Sequence, residues 1–173
     1  MKRPAGSRKA APLVEVMIAS QKWRKQPRAA AIIRKAIRTA AVFGAKSAST
    51  PHAELAILLT NDSAMRALNC EWRKLDAPTN VLSFPAKMAQ ADRKLPCSLG
   101  DIAIAYETTA REAADQNKSF NHHLVHLAVH GYLHLLGYDH ANDREAKKME
   151  RLEADILARL DIPDPYVPRD RTV

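Results

Sequence analysis

Residues 119–140 read as one buried helix followed by a turn, and they hold six of the seven histidines of the 173-residue chain. Leu127, Ala128, Leu133, Leu135 and Leu136 surround His130 and His134 with apolar side chains, the pattern of a helix packed in a core. Four residues apart on such a helix, the two imidazoles fall on one face, one above the other. Gly137 offers a left-handed stop, and His140 follows just after it. A fold of this chain must therefore bring the end of a buried helix and the returning strand of chain to one point. Three neutral imidazoles with no cysteine nearby suit one zinc ion with a coordination position left for water. Structural zinc sites normally close all four positions with protein ligands, often thiolates. This frame reads as open, and so as catalytic.

The spacing His-x-x-x-His-x-x-Gly-x-x-His is also the ligand frame of the metzincin proteases, which carry Glu directly after the first His as general base. Gly131 stands at that position here. The metal frame is present and the protease base is absent. The fuller string, Leu133-His134-Leu135 followed by Gly137-Tyr138-Asp139-His140, resembles the signature of the YbeY family, described as metal-dependent endoribonucleases acting in bacterial rRNA maturation and ribosome quality control. Pro78-Thr79-Asn80-Val81-Leu82-Ser83-Phe84-Pro85 resembles that family's second signature, in which Asp or Asn precedes the Val. Leu99-Gly100-Asp101-Ile102 is a third, weaker match, and the resemblance spans roughly Glu54 to Leu160. It implies a mixed sheet of about four strands covered by helices, with an edge strand beside the metal. It also implies RNA as substrate, small-subunit rRNA and the ribosome in particular. A ribosome-associated GTPase and a small-subunit ribosomal protein are the partners it suggests.

Charge agrees with a polyanionic substrate. The net charge is +8, but residues 1–46 hold twelve Lys or Arg against one acid, Glu15, a local balance of +11 that leaves −3 for the rest. A basic segment of this kind suits nucleic acid, with Arg34, Lys35 and Arg38 on the polar face of a helix as RNA-binding candidates. Hydrophobic residues make up 46% of the chain, too many for a disordered protein. No apolar run approaches a membrane span, and the apolar run Leu13 to Ala19, interrupted by Glu15, is not a signal peptide. Cys70 and Cys97 form no close pair, so a reduced, cytoplasmic setting is expected.

Along the chain, residues 1–12 read as a disordered basic tail, 13–162 as a single catalytic domain and 163–173 as an irregular tail marked by Pro163, Pro165 and Pro168. Strands are expected over 13–19, 54–60, 81–84 and 99–105. Helices are expected over 29–43, stopped by Gly44, over 63–72, over 107–116, from a Ser119 cap toward Leu136, and from Asn142 or Asp143 to about Leu160. Residues 86–97 read as an irregular excursion. Interleaved strands and helices with helices gathered at the end indicate an α/β protein of the α+β type. The metal site would stand at the C-terminal end of the long histidine helix.

Phosphodiester cleavage needs a positive group for the charge that builds in the transition state. Arg73 is the best candidate, because a guanidinium fork matches phosphate oxygens. The family's active arginine, just upstream of the second signature, maps onto it. Asp101 can orient an imidazole, bind substrate or form a turn. Asp139 and His126 read as groups that support the ligands rather than as ligands. His122 and His123 read as surface residues, and His52 carries no signal. Two other functions share parts of this pattern. A metallohydrolase of another class, peptidase-like, shares the ligand frame; a non-catalytic ribosome assembly factor would use the metal only to organise its fold.

Overall fold

A computed structural model describes residues 11–43, 53–86 and 97–167. Most of the expected basic tail, the Gly44 stop, His52, most of the 86–97 excursion and the C-terminal tail from 168 onward lie outside the described residues. The elements are β1 (Leu13–Ile18), α1 (Ala29–Phe43), β2 (Glu54–Thr60), α2 (Asp62–Arg73), β3 (Val81–Pro85), β4 (Ser98–Ala105), α3 (Tyr106–Asp115), α4 (Phe120–Leu135) and α5 (Asp143–Ala158). One element lies beyond the expectation. Gln21–Lys25 forms a 3-10 turn that buries Trp23, whose indole N–H donates to the Thr60 carbonyl at 2.8 Å. A lone large aromatic in a basic stretch has no periodicity to announce it.

The sheet order is β1-β2-β4-β3. β1, β2 and β4 run parallel, and β3 is antiparallel to β4. The domain is therefore α+β, with a four-stranded mixed sheet whose edges are β1 and β3. Alternation along each strand divides its residues between two faces. Leu55, Ile57, Leu59, Ile102 and Ile104 face one way, into the main core with α1, α4 and α5. Leu82, Ala103 and Ala105 face the other way, where Met65 of α2 packs on them.

Helix ends are fixed by local hydrogen bonds. Asn61 caps α2, its side chain accepting from Ala64 N, and Asn142 caps α5 by accepting from Glu145 N. Ser119 stands at the N-cap of α4, but its side chain makes no capping bond, so that expected role is corrected. Gly100, at φ +125, closes the approach of β4 to β3: a Cβ there would lie 2.2 Å from the Phe84 carbonyl oxygen. No helix among the described residues is long and apolar enough to cross a membrane.

Candidate metal centre

The end of α4 builds the site. Gly137 N bonds to the His134 carbonyl at 2.9 Å and Tyr138 N to the Leu133 carbonyl at 3.1 Å, the paired bonds of a Schellman ending. Gly137 supplies the positive φ of +85 that this ending requires, and Tyr138 turns into the core beside Leu133. That reversal carries His140 back over the helix. The ring centroids of His130 and His134 are 4.6 Å apart, and His140 lies 5.2 Å from each. One nitrogen from each of the three falls within 4.8 Å of the others.

The donor set suits a zinc ion. Nε2 of His130 and Nε2 of His134 are 3.1 Å apart, and two nitrogens bound tetrahedrally to one zinc would be about 3.3 Å apart at ordinary bond lengths. Burial, and then the neighbouring His130 and His140, lower the pKa of His134. The ring is thereby kept neutral, with a lone pair to offer.

A carboxylate with no place in the local histidine motif holds this arrangement. Glu153 of α5 is fully buried. Its Oε1 lies 2.7 Å from Nδ1 of His130, its Oε2 lies 2.9 Å from Nε2 of His126, and the Tyr166 hydroxyl also donates to it. Burial alone would raise the Glu153 pKa. The hydrogen bonds and charge of His126 and His130 more than offset it and hold the carboxyl down at about 2. An ionised carboxylate on Nδ1 directs Nε2 of His130 toward the centre and raises its basicity. A second group, His126, His130 and Glu153, also has ligand atoms within 4.8 Å of one another, but each of its contacts is already a hydrogen bond. Glu153 did leave a trace in the sequence. It sits between Met149 and Ile156 on the buried side of α5, an acid in an apolar stripe.

The three histidines line a cavity of about 500 Å³ together with Arg73, Thr79, Asn80, Val81, Ser83, Pro85 and Asp139. Arg73 is the last residue of α2 and is exposed. Among the described residues its side chain has no hydrogen-bond or ion-pair partner. The chain between α2 and β3 is pinned by a two-pronged Arg66–Asp76 contact at 2.6 and 2.7 Å and by Asn69 donating to the Ala77 carbonyl at 2.8 Å. Asn80 accepts from Val81 N and donates to Glu112, which in turn meets Nε2 of His123 at 2.8 Å. His123 is thus buried and paired, not on the surface as its sequence position suggested; His122 is half-buried.

Other candidates fall elsewhere. Asp139 accepts from the backbone N–H of His140 at 2.7 Å, shaping the turn beside the ligands. Asp101 lies on the α2 face of the sheet, in the wall of a different cavity. It orients no imidazole among the described residues, a role that Glu153 fills. Arg34 is tied by its Nε to the Val14 carbonyl at 3.2 Å. Lys35 and Arg38 are exposed. Lys35 lies beside Asn121 and His122 at the start of α4, which helix rise places about 20 Å from His134. The basic face of α1 is therefore not a wall of the histidine cavity.

Gly131 explains the missing protease base. A Cβ at this position would meet Ser83 Oγ at 3.0 Å and Ile102 at 3.1 and 3.2 Å. The Ser83 hydroxyl also donates to the Gly131 carbonyl at 3.1 Å. The position that metzincins fill with Glu is here pressed against the sheet, and glycine lets α4 seat on β3 and β4.

Comparison with known proteins identifies the family. The model of the family described as Endoribonuclease YbeY matches residues 17–161. Proteins named Endoribonuclease YbeY are similar along nearly the whole chain. That of Nitrobacter hamburgensis is 54% identical over 165 residues, covering 94% of this chain and 86% of its own. That of Rhodopseudomonas palustris (strain BisB18) is 53% identical over 162 residues, covering 92% and 95%. The solution structure of TM1509 from Thermotoga maritima shares the fold at a TM-score of 0.55 and 20% identity, over 93% of this chain and 99% of that one. With a family model spanning most of its length and relatives above half identity, the chain belongs to the YbeY family.

Proposed function

We propose that this protein is a zinc-dependent, single-strand-specific endoribonuclease acting on small-subunit rRNA and on defective ribosomes in the cytoplasm. The observation that carries the reading is the convergence of His130, His134 and His140 with Arg73 on one cavity. The names of the relatives support RNA as substrate. A ribosome-associated GTPase and a small-subunit ribosomal protein remain the proposed partners, on the strength of the family likeness.

His130, His134 and His140 would hold one zinc per chain. Bound there, zinc would supply Lewis-acid charge and a water acidified to near pH 7. The chain's own residues do the rest. Glu153 and His126 keep His130 in the tautomer whose Nε2 faces the cavity. Arg73 binds the phosphate with its fork and stabilises the charge that grows on the phosphoryl oxygens. Asp139 and the Tyr138 anchor keep His140 in place. Gly131 argues against the peptidase alternative, since no base can be presented from that position. The assembly-factor alternative is separated by turnover.

The test is single-turnover cleavage of a defined single-stranded RNA, with metal content and melting temperature measured on the same samples. His134→Ala should lose both metal and cleavage. Arg73→Ala should keep metal and fold and lose about a hundredfold in rate, the usual cost of one such electrostatic contact. Arg73→Lys should recover only part of it, because a point charge lacks the fork. Wild-type protein that carries metal but never turns over would assign it to assembly rather than catalysis.

A further inference from the structure

A second cavity, about 810 Å³, lies on the α2 face of the sheet, and none of the three clustered histidines lines it. We infer that it is a nucleobase subsite, in which one unpaired base of the cleaved strand stacks on Trp72. The inference rests on the endoribonuclease reading and adds to it a place for the base next to the bound phosphate.

Continuity is the first argument. Arg73, Ser83 and Pro85 are walls of both cavities. A strand whose phosphate meets Arg73 can therefore pass over the β3 edge from one cavity into the other. The second argument is the aromatic rim. Trp72 is 62% exposed, and Phe84 holds it by an edge contact, with ring centroids 5.4 Å apart and planes at 62°. A braced indole with open surface beside an arginine is the usual platform on which proteins stack single-stranded bases. The third argument is polarity. Behind the rim the walls are mostly apolar, and the one carboxylate among the described lining residues, Asp101, is exposed to the cavity. An ionised carboxylate only accepts hydrogen bonds, so it pairs with a base amino group, as in carboxylate–cytosine contacts. The subsite thus favours guanine, whose N1–H and amino group present two donors side by side to the two carboxylate oxygens, over uracil, which offers one N–H. A base stacked and paired inside a duplex cannot reach Trp72, so the same cavity accounts for a single-strand preference.

The experiment uses one single-stranded oligoribonucleotide with a defined cut site and a set of copies made abasic at each nearby position in turn. Wild type, Trp72→Ala, Trp72→Phe and Asp101→Ala are compared by KM, kcat, tryptophan emission and sedimentation. Trp72→Ala should raise KM about tenfold to a hundredfold, the range of one base stack, with kcat changed less, and Trp72→Phe should keep most of the affinity. One abasic position should cost the wild type the same factor and cost Trp72→Ala nothing further. RNA should quench indole emission in the wild type and not in Trp72→Ala, because the other tryptophan, Trp23, is buried. Asp101→Ala should narrow the preference for guanine over uracil. If Trp72→Ala keeps the wild-type KM and the wild-type abasic profile, the subsite is overturned and the endoribonuclease reading stands. If the wild type neither binds nor cleaves any of the RNAs, both fall. If Trp72→Ala handles RNA normally but abolishes self-association, the face belongs to a second copy of the chain and the subsite is overturned.

Discussion

On one face of the sheet, Leu55, Ile57, Leu59, Ile102 and Ile104 are at most 2% exposed beneath α1, α4 and α5. On the other, β4 and β3 pack on Met65 of α2, while Leu13 and Met17 of β1 remain 68% and 47% exposed. Both faces alternate from the same strands, so the difference lies in what the connections place over them. The dry face carries the histidines, because holding three imidazoles and a buried carboxylate to fractions of an ångström requires packed neighbours on every side. The open face carries the broad apolar cavity, where a platform can wait for a partner. Arg73 stands where the two meet, at the end of α2, which packs on the open side.

The comparison is easiest to break at its carboxylates. Removing a buried charge that satisfies other buried groups typically costs about 3–5 kcal/mol. Glu153→Ala should therefore unfold at markedly lower urea concentration. Asp101→Ala, at an exposed position on the open face, should stay within about 0.5 kcal/mol of wild type. Equal losses would mean that the two faces are not held differently. The milder Glu153→Gln should retain most of the fold and weaken metal affinity about tenfold to a hundredfold, read by competition with a chelator.

Acid titration sharpens the same point. The Glu153 carboxyl binds its proton less tightly folded, at about 2, than unfolded, at 4.5. Its contribution is complete above the unfolded value and is lost as pH falls from about 5 toward 2. The shift corresponds to roughly 3 kcal/mol. In metal-free protein, unfolding free energy should fall across that window, and Glu153→Gln should flatten the slope. An unaltered slope would move the acid-sensitive group elsewhere, Glu112 being next in line because its hydrogen bonds to His123 and Asn80 outweigh burial and leave its pKa lowered as well.

Packing provides a smaller contrast. Gly131→Val pushes methyl groups into Ser83 and Ile102 and should cost about 1–3 kcal/mol. Ala56→Val, whose side chain points into the open cavity, should be nearly neutral in thermal unfolding. The smallest effect is expected farthest from the histidines. Replacing Arg34, Lys35 and Arg38 together should flatten the salt dependence of RNA binding, by somewhat under one unit of slope for each phosphate that is no longer neutralised. An unchanged slope would assign the α1 face to solvent.

Much of this was legible in the sequence, because the ligand frame is local. A 3.6-residue repeat, a glycine and a following histidine specify where three rings go without knowledge of the rest of the fold. The succession of strands and helices along the chain was legible for the same reason, whereas the order β1-β2-β4-β3 within the sheet was not. What escaped reading depends on distant pairing. Glu153 is 23 residues from the histidine it orients, and nothing short of the packing of α5 on α4 joins them. His123 looked exposed because its partner, Glu112, comes from another helix. For Asp101 the sequence left three roles open: orienting an imidazole, binding substrate or forming a turn. Strand alternation turns it away from Ile102, whose side chain touches α4, and a count of two along β4 would have shown it.

The Schellman ending of α4 has a thermodynamic consequence. His130 and His134 are set by the helix itself, so the freedom a metal must remove is mostly that of the six residues that follow His134, Leu135 to His140. Gly137 and Tyr138 have already spent that freedom in the fold: the turn is hydrogen-bonded and its tyrosine is 8% exposed. The chelate ring is thus nearly closed before any ion arrives, and the affinity of the centre rests in part on an aromatic side chain anchored in the core rather than on its three donors alone.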